Sequence, residues 1–302
     1  MNTKRTSQAG MPVFIFLHIP KTGGITFSEI VIRNFSSDRI FHIRNPKVPK
    51  APRFSPNYGS YDDFAALSSA ERKSFDCLVG HLRFGVHELI ERPCVYATLL
   101  RDPVERVLSQ HGQFTKMVRG GEFPGQEAVD LERYSEIRPA SVVNQQARFL
   151  VGSQFASLDD EKLVRKAHEN LQRHFIAVGT LERFDETLLV VNHRMGWRTR
   201  TYEIRNVGEC RFKVTDLPDD DLERIRSRTR LDQTVFEMAN RMLDDAVREV
   251  PGFRRKLARF RKMNDDARRS ILRRSGLPAL ARRLKALGVS LIRAQTGRTA
   301  KG

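Results

Sequence analysis

Cysteine is scarce in this chain and follows no pattern. Cys77, Cys94 and Cys210 are odd in number and far apart, so they offer neither a disulfide framework nor a zinc-ligand spacing. Cys77 and Cys94 stand in apolar runs, where buried free thiols are expected, and that usage fits a reducing compartment. Long apolar runs are missing too. None approaches the ~18 residues that a membrane-crossing helix needs. No secretory leader is read, because residues 1–10 are polar and the apolar run after them is short. No His, Cys or Asp cluster has metal-ligand spacing, so no metal is expected. The G-x-x-x-x-G-K-[ST] loop of nucleoside triphosphatases is absent, and no internal repeat is found.

Negative charge is in short supply, but only at one end. The net charge is +17. Residues 253–302 carry 16 Lys/Arg against 2 Asp/Glu, while the rest carries 37 against 34. The body is therefore close to neutral, and the high overall basicity is no argument for a nucleic-acid-binding core. Residues 254–293 interleave basic side chains with Leu257, Phe260, Leu280, Leu284, Leu287 and Leu291. That pattern is expected either to lie on an anionic membrane surface or to stand as a solvated helix. Aromatics for base stacking are too few there for a nucleic-acid partner.

What is present is organised around residues 13–35. Val13–Leu17 is an apolar, β-branched and aromatic run, read as a strand buried on both faces. His18-Ile-Pro-Lys-Thr-Gly-Gly24 breaks it, and Phe27, Ile30 and Val31 then recur at helical spacing. A helix starting just past a Gly-containing loop offers free backbone N–H groups and the positive end of its dipole to an anion. Gly23 and Gly24 let backbone approach, Lys21 adds charge, and Thr22 and Thr26 add hydroxyls. An ordinary βα turn with a surface lysine fits the loop alone equally well. Cys94–Leu100 reads as a second buried strand with Arg101 at its carboxyl end. Asp102, Pro103 and Glu105 give a helix start with a D-x-x-E capping box. Ligands of open α/β sheets sit beyond such strand ends.

The two stretches together resemble the PAPS-dependent carbohydrate sulfotransferases, of the branch that includes heparan sulfate 2-O-sulfotransferase. His18-Ile-Pro-Lys-Thr-Gly-Gly24 looks like that family's 5′-phosphosulfate loop, and Arg101-Asp-Pro-Val-Glu-Arg-Val-Leu-Ser109 like its 3′-phosphate motif. The likeness is clear over residues 13–190 and thin beyond. It implies a sulfuryl transfer from PAPS, leaving PAP, to a hydroxyl of a carbohydrate or glycan. Lys21 would neutralise the leaving phosphate. Lys21, Thr22, Gly23, Gly24, Ile25 and Thr26 would hold the 5′ end, and Arg101 and Ser109 the 3′-phosphate. Arg106 is expected on the helix surface. His81, in Gly80-His-Leu-Arg-Phe84, resembles the segment that carries the family's base, and an imidazole of near-neutral pKa suits that task. His18 is expected in a core or supporting role, with His87 and His111 as weak candidates. Thr180 and Phe184 are expected near the adenine, and Arg205-Asn-Val-Gly208 is one match for a late 3′-phosphate loop. Many animal relatives are membrane-anchored, so the missing span leads to the expectation of a soluble, cytoplasmic enzyme. An ATP-dependent kinase and a non-catalytic polyanion-binding or membrane-surface protein are the competing readings.

Alternating short apolar runs and helical patterns predict an α/β fold, a P-loop-like parallel β-sheet with helices on both faces and a basic helical extension. Residues 1–11 are expected to be disordered, 12–250 to form the catalytic domain, and 251–302 the extension. Strands are expected at 75–79 and 175–179, with an edge strand near Tyr202. Residues 36–61 are expected to be an irregular excursion whose Arg39, Arg44, Lys47, Lys50 and Arg53 line an entrance or are simply solvated. The loop 119–125 is expected to carry substrate contacts.

Overall fold

A computed structural model describes residues 11–44, 55–199, 201–204 and 214–274. The expectations for residues 1–10, Lys47, Lys50, Arg53, 205–208 and 275–302 lie outside the described residues. Six parallel strands form one sheet in the order β3-β2-β4-β1-β5-β6: β1 Val13–Leu17, β2 Ile40–Ile43, β3 Asn57–Gly59, β4 Cys77–Gly80, β5 Cys94–Leu100 and β6 Phe175–Thr180. The helices are α1 Gly24–Ile32, α2 Tyr61–Ala66, α3 Ser69–Ser74, α4 Pro103–Arg119, α5 Leu131–Ile137, α6 Pro139–Val142, α7 Gln145–Val151, α8 Asp160–His174, α9 Phe184–Met195, α10 Asp219–Arg228, α11 Arg230–Arg248 and α12 Phe253–Arg274.

The strands are apolar along their length because both faces are covered. Val13, Ile15 and Leu17 point with Leu78, Tyr96 and Val178 into a core closed by α7, α8 and α11. Phe14 and Phe16 point with Val79, Ala97 and Ala177 to the other side, under α1, α9 and α12. A smaller cluster joins Val104, Val107, Phe114, Leu131, Tyr134 and Ile225.

Three expectations are corrected. The excursion at 36–61 contains β2 and β3, which lengthen the sheet on one side. β2 is only four residues, and β3, Asn-Tyr-Gly, has no apolar signature because it lies at the edge. Arg39 lines no entrance: its guanidinium pairs with the Asp76 carboxylate. Tyr202 is in no strand; it packs on Phe184 and Phe260, and its N–H donates to Asn264 at 2.9 Å. That contact also docks α12 on the body, with Phe260 and Asn264 each 2% exposed, so the segment read as an extension begins as part of the core. Among the described residues no helix is long and apolar enough to cross a membrane.

The connections after β1 run toward β4 and β2, whereas the one after β5 runs toward β6. Divergence of this kind opens a crevice at the carboxyl ends of β1 and β5.

Candidate active site

The loop after β1 is held by its own side chains. The Thr22 hydroxyl donates to the Ile19 carbonyl at 2.9 Å, so that donor is spent on the turn and only the Thr22 backbone N–H remains for a ligand. Lys21 has φ 71, a conformation rare for a side-chain-bearing residue and met at functional turns. Gly23, at φ 82, caps α1, and a Cβ there would lie 2.6 Å from Leu181 Cδ1. A Cβ on Gly24 would fall 1.9 Å from the His18 ring, so only glycine lets α1 start against that imidazole. Ile25 is 43% exposed and Thr26 is buried.

Arg101 sits directly beside this loop. Its guanidinium donates to the Lys21 carbonyl at 3.3 Å and to the Glu105 carboxylate at 2.9 Å. The Lys21 ammonium donates to Gln113 Oε1 at 3.0 Å. Burial, and then the Arg101 charge, lower the Lys21 pKa from its ordinary value. Glu105, Ser109 and Gln113 succeed one another by one turn on one face of α4, which puts Ser109 between the partners of Arg101 and Lys21. The expected capping box forms only in half. The Asp102 side chain accepts from Glu105 N–H at 3.0 Å, but the Glu105 carboxylate goes to Arg101 and the Asp102 N–H donates to Glu182 instead. A charged guanidinium outcompetes a backbone amide for a carboxylate.

Gln146 clamps the backbone of Arg101 from α7. Its side chain accepts from the Arg101 N–H and donates to the Arg101 carbonyl, both at 2.9 Å. Arg106, expected at the surface, is fully buried. It donates to Gln145 at 2.7 Å and to the Ser141 carbonyl at 3.0 Å, and it lies 4.0 Å from Asp232, which in turn accepts from the Ala147 N–H. The motif's second arginine thus braces α7, the helix that holds the first.

His81 follows β4 and meets the end of β1. Register pairs Leu17 with Gly80, so His18 and His81 face each other with ring centroids 4.3 Å apart. A Cβ on Gly80 would strike the Ile43 carbonyl at 1.8 Å, so glycine is what lets the chain turn there. His81 Nδ1 lies 3.0 Å from the His18 carbonyl. A carbonyl only accepts, so Nδ1 carries the proton and Nε2 keeps the lone pair. His81 is reached by solvent, yet protein surrounds it closely enough that lost hydration lowers its pKa. The His18 bond opposes that shift and the Lys21 charge adds to it. Burial and the charges of His81, His42 and Lys21 hold His18 well below the ordinary imidazole value. His42 on β2 is pushed down to about 4, chiefly by burial and then by His81 and Arg44. Burial first, and neighbouring positive charge second, favour the neutral form of these imidazoles.

Lys21, Arg101, Ser109 and His81 therefore share one edge of the sheet. Thr180 is elsewhere: it is fully buried and donates to Asn240 at 3.4 Å, leaving Leu181 against the loop. Phe184 packs behind α1 on Phe27 and Tyr202. His87 and His111 are engaged in the body, by Tyr96 and by the Val129 carbonyl. A cavity of about 490 Å³ lies between α4 and α5, beside the loop 119–125, and none of Lys21, Arg101 or His81 lines it. Sequence reasoning missed Gln113, Gln146 and His42. Gln113 was within reach of periodicity, one turn beyond Ser109; Gln146 and His42 carry no local signal.

Residues 3–283 match the galactose-3-O-sulfotransferase family. The chain belongs to that family. It is accordingly a sulfotransferase that acts on a carbohydrate. Comparison with the curated proteins finds no match. The family's span runs past α12, consistent with the docking of that helix on the sulfotransferase body.

Proposed function

We propose that this sulfotransferase moves the sulfuryl group of PAPS to a hydroxyl of a galactose-type sugar, with His81 as base and Lys21 beside the leaving phosphate. The observation that carries the reading is the convergence at one strand edge of an oriented imidazole with two cations and the N-terminus of α1. The phosphosulfate would lie on the backbone N–H groups of residues 22–26, and the 3′-phosphate on Arg101 and Ser109. Donor residues of this kind suit a dianion.

The acceptor hydroxyl gives its proton to His81 Nε2 as its oxygen forms a bond to sulfur. The bond between sulfur and the bridging oxygen breaks, and its electron pair stays on the 5′-phosphate of PAP, where Lys21 opposes the charge. A sulfate ester, PAP and a protonated His81 result, and the imidazolium then releases its proton to solvent. Lys21 can slip from the neutral Gln113 amide to the developing charge at little cost, because among the described residues no carboxylate pairs with it.

Two measurements test this. PAP without magnesium raises the melting temperature, and labelled PAPS with a terminal galactoside gives a sulfated sugar. An enzyme stabilised by ATP with magnesium and indifferent to PAP refutes the proposal.

A further inference from the structure

Two arginines beyond β4, Arg83 and Arg148, have aromatic rings beside their guanidinium groups. Arg83, two residues past His81, has its guanidinium carbon 5.1 Å from the centroid of Phe155 and 6.0 Å from that of Phe149. Arg148, on α7, lies 4.3 Å from the same Phe155 centroid. Among the described residues, neither guanidinium makes a hydrogen bond or salt bridge. The nearest acidic influence on Arg148 is Asp232, which is fully buried, faces Arg106 and accepts from the Ala147 N–H. Burial, then the charge of Arg83, lower the Arg148 pKa, as two cations pressed together require.

Stacking leaves such groups ready for a ligand. A guanidinium lies on a ring through its π-face, while its N–H donors point outward in the plane. Phe155 thus lies beside both guanidinium carbons, at 5.1 and 4.3 Å, and a ring contact of this kind uses none of their N–H donors. The surroundings tie the pair to the active site. The Phe84 N–H donates to the Phe149 carbonyl at 2.9 Å, and a Cβ on Gly152 would meet the Phe84 carbonyl at 2.2 Å, so the segment after His81 is pressed against α7. The other end of α7 holds Arg101 through Gln146. The assigned donor cations come from the ends of β1 and β5, whereas Arg83 comes from the end of β4, past the base.

We infer that Arg83 and Arg148, seated on Phe155, form an acceptor subsite for an acidic sugar, one bearing a carboxylate or a sulfate close to the hydroxyl that is modified. This rests on the acceptor hydroxyl lying at His81 and deepens that reading. The sulfotransferase then selects an anionic glycan over its neutral counterpart, by charge-assisted contacts made beyond the reacting sugar.

The test uses the full chain, its Arg83→Ala/Arg148→Ala double variant, and Arg148→Lys, all checked for folding by circular dichroism. Three oligosaccharides of one length, with a terminal galactose and a neighbour that is neutral, uronic or sulfated, are titrated calorimetrically with PAP present and absent. The wild type is expected to bind at least one acidic oligosaccharide about tenfold or more tighter than the neutral one. The double variant loses that preference, and Arg148→Lys keeps part of it. Which acidic oligosaccharide gains identifies carboxylate or sulfate as the recognised group. Equal affinity for all three in the wild type, or a preference that survives in the double variant, overturns the subsite. A double variant that loses affinity for PAP while keeping the sugar preference overturns it too, and moves the arginines to the donor. Failure of the wild type to bind PAP refutes the donor reading, while the sugar titrations without PAP still judge the subsite.

Discussion

His81 is useful because of the atom it faces. With Nδ1–H spent on the His18 carbonyl, the ring can neither flip nor change tautomer without losing a bond, so Nε2 is the basic atom on offer. His81→Ala is expected to lower turnover by ~10²–10⁴-fold while PAP still binds, checked by single-turnover assay beside a PAP titration. Unchanged turnover would remove His81 from the mechanism. Glu105 is the opposite case, a carboxylate in the way. It is 42% exposed and pairs with Arg101, which lies just before the α4 cap, and solvent-exposed ion pairs are worth about 0.2–1 kcal/mol. On the proposed donor reading a 3′-phosphate takes its place, so Glu105→Gln is expected to tighten PAP binding about twofold, and weaker binding would show that Glu105 positions Arg101 instead. At this scale the sequence was partly legible. Lys21, Arg101 and His81 could be singled out because their motifs sit at strand ends, and the fold brings those ends together. Arg106 did not, because nothing in a helical repeat reveals that Gln145 and Asp232 wait on other elements to receive a buried guanidinium.

The elements place those residues through contacts that leave no spare room. α1 begins where it does because Gly24 lies flat against the His18 imidazole. Gly24→Ala is expected to cost about 1–3 kcal/mol of stability and to reduce turnover further, since the displaced ring belongs to the residue whose carbonyl orients His81. A denaturant melt beside a turnover assay checks both, and a variant equal to wild type in both would show that the loop adapts. The strand–loop–helix units around β1 and β5 could be read from apolar runs and breakers, because burial on both faces writes itself as a continuous hydrophobic stretch. β2 and β3 could not, being too short and, at the edge, too polar to stand out. The two motifs point to a carbohydrate sulfotransferase without fixing the branch, since on the proposed reading both would serve the donor rather than the sugar.

Three imidazoles at the carboxyl edge of the sheet are held in surroundings that disfavour their charged form, first by burial and then by neighbouring positive charge, and that has a cost in acid. His18, His42 and His81 all have folded pKa values lowered from the ordinary one, His42 to about 4. Above about pH 6.5 these rings are neutral whether the chain is folded or not, and they contribute nothing to the pH dependence. Below it the unfolded chain takes up protons that the fold refuses, so stability falls as pH drops from about 6.5 toward 4. The melting temperature is expected to decline through that window, and His42→Gln to flatten the decline. A melting temperature constant from pH 7 to 4.5 would contradict the electrostatics described. With His81 as the proposed base, the same lowering is expected to put the acid limb of kcat/KM below pH 6.5.

The grip of Gln146 on Arg101 is made entirely through the main chain. Shape and charge at that corner are thus written by different residues. Trimming the guanidinium should leave that corner's main chain in place, while releasing the Lys21 carbonyl and the Glu105 carboxylate that it now holds.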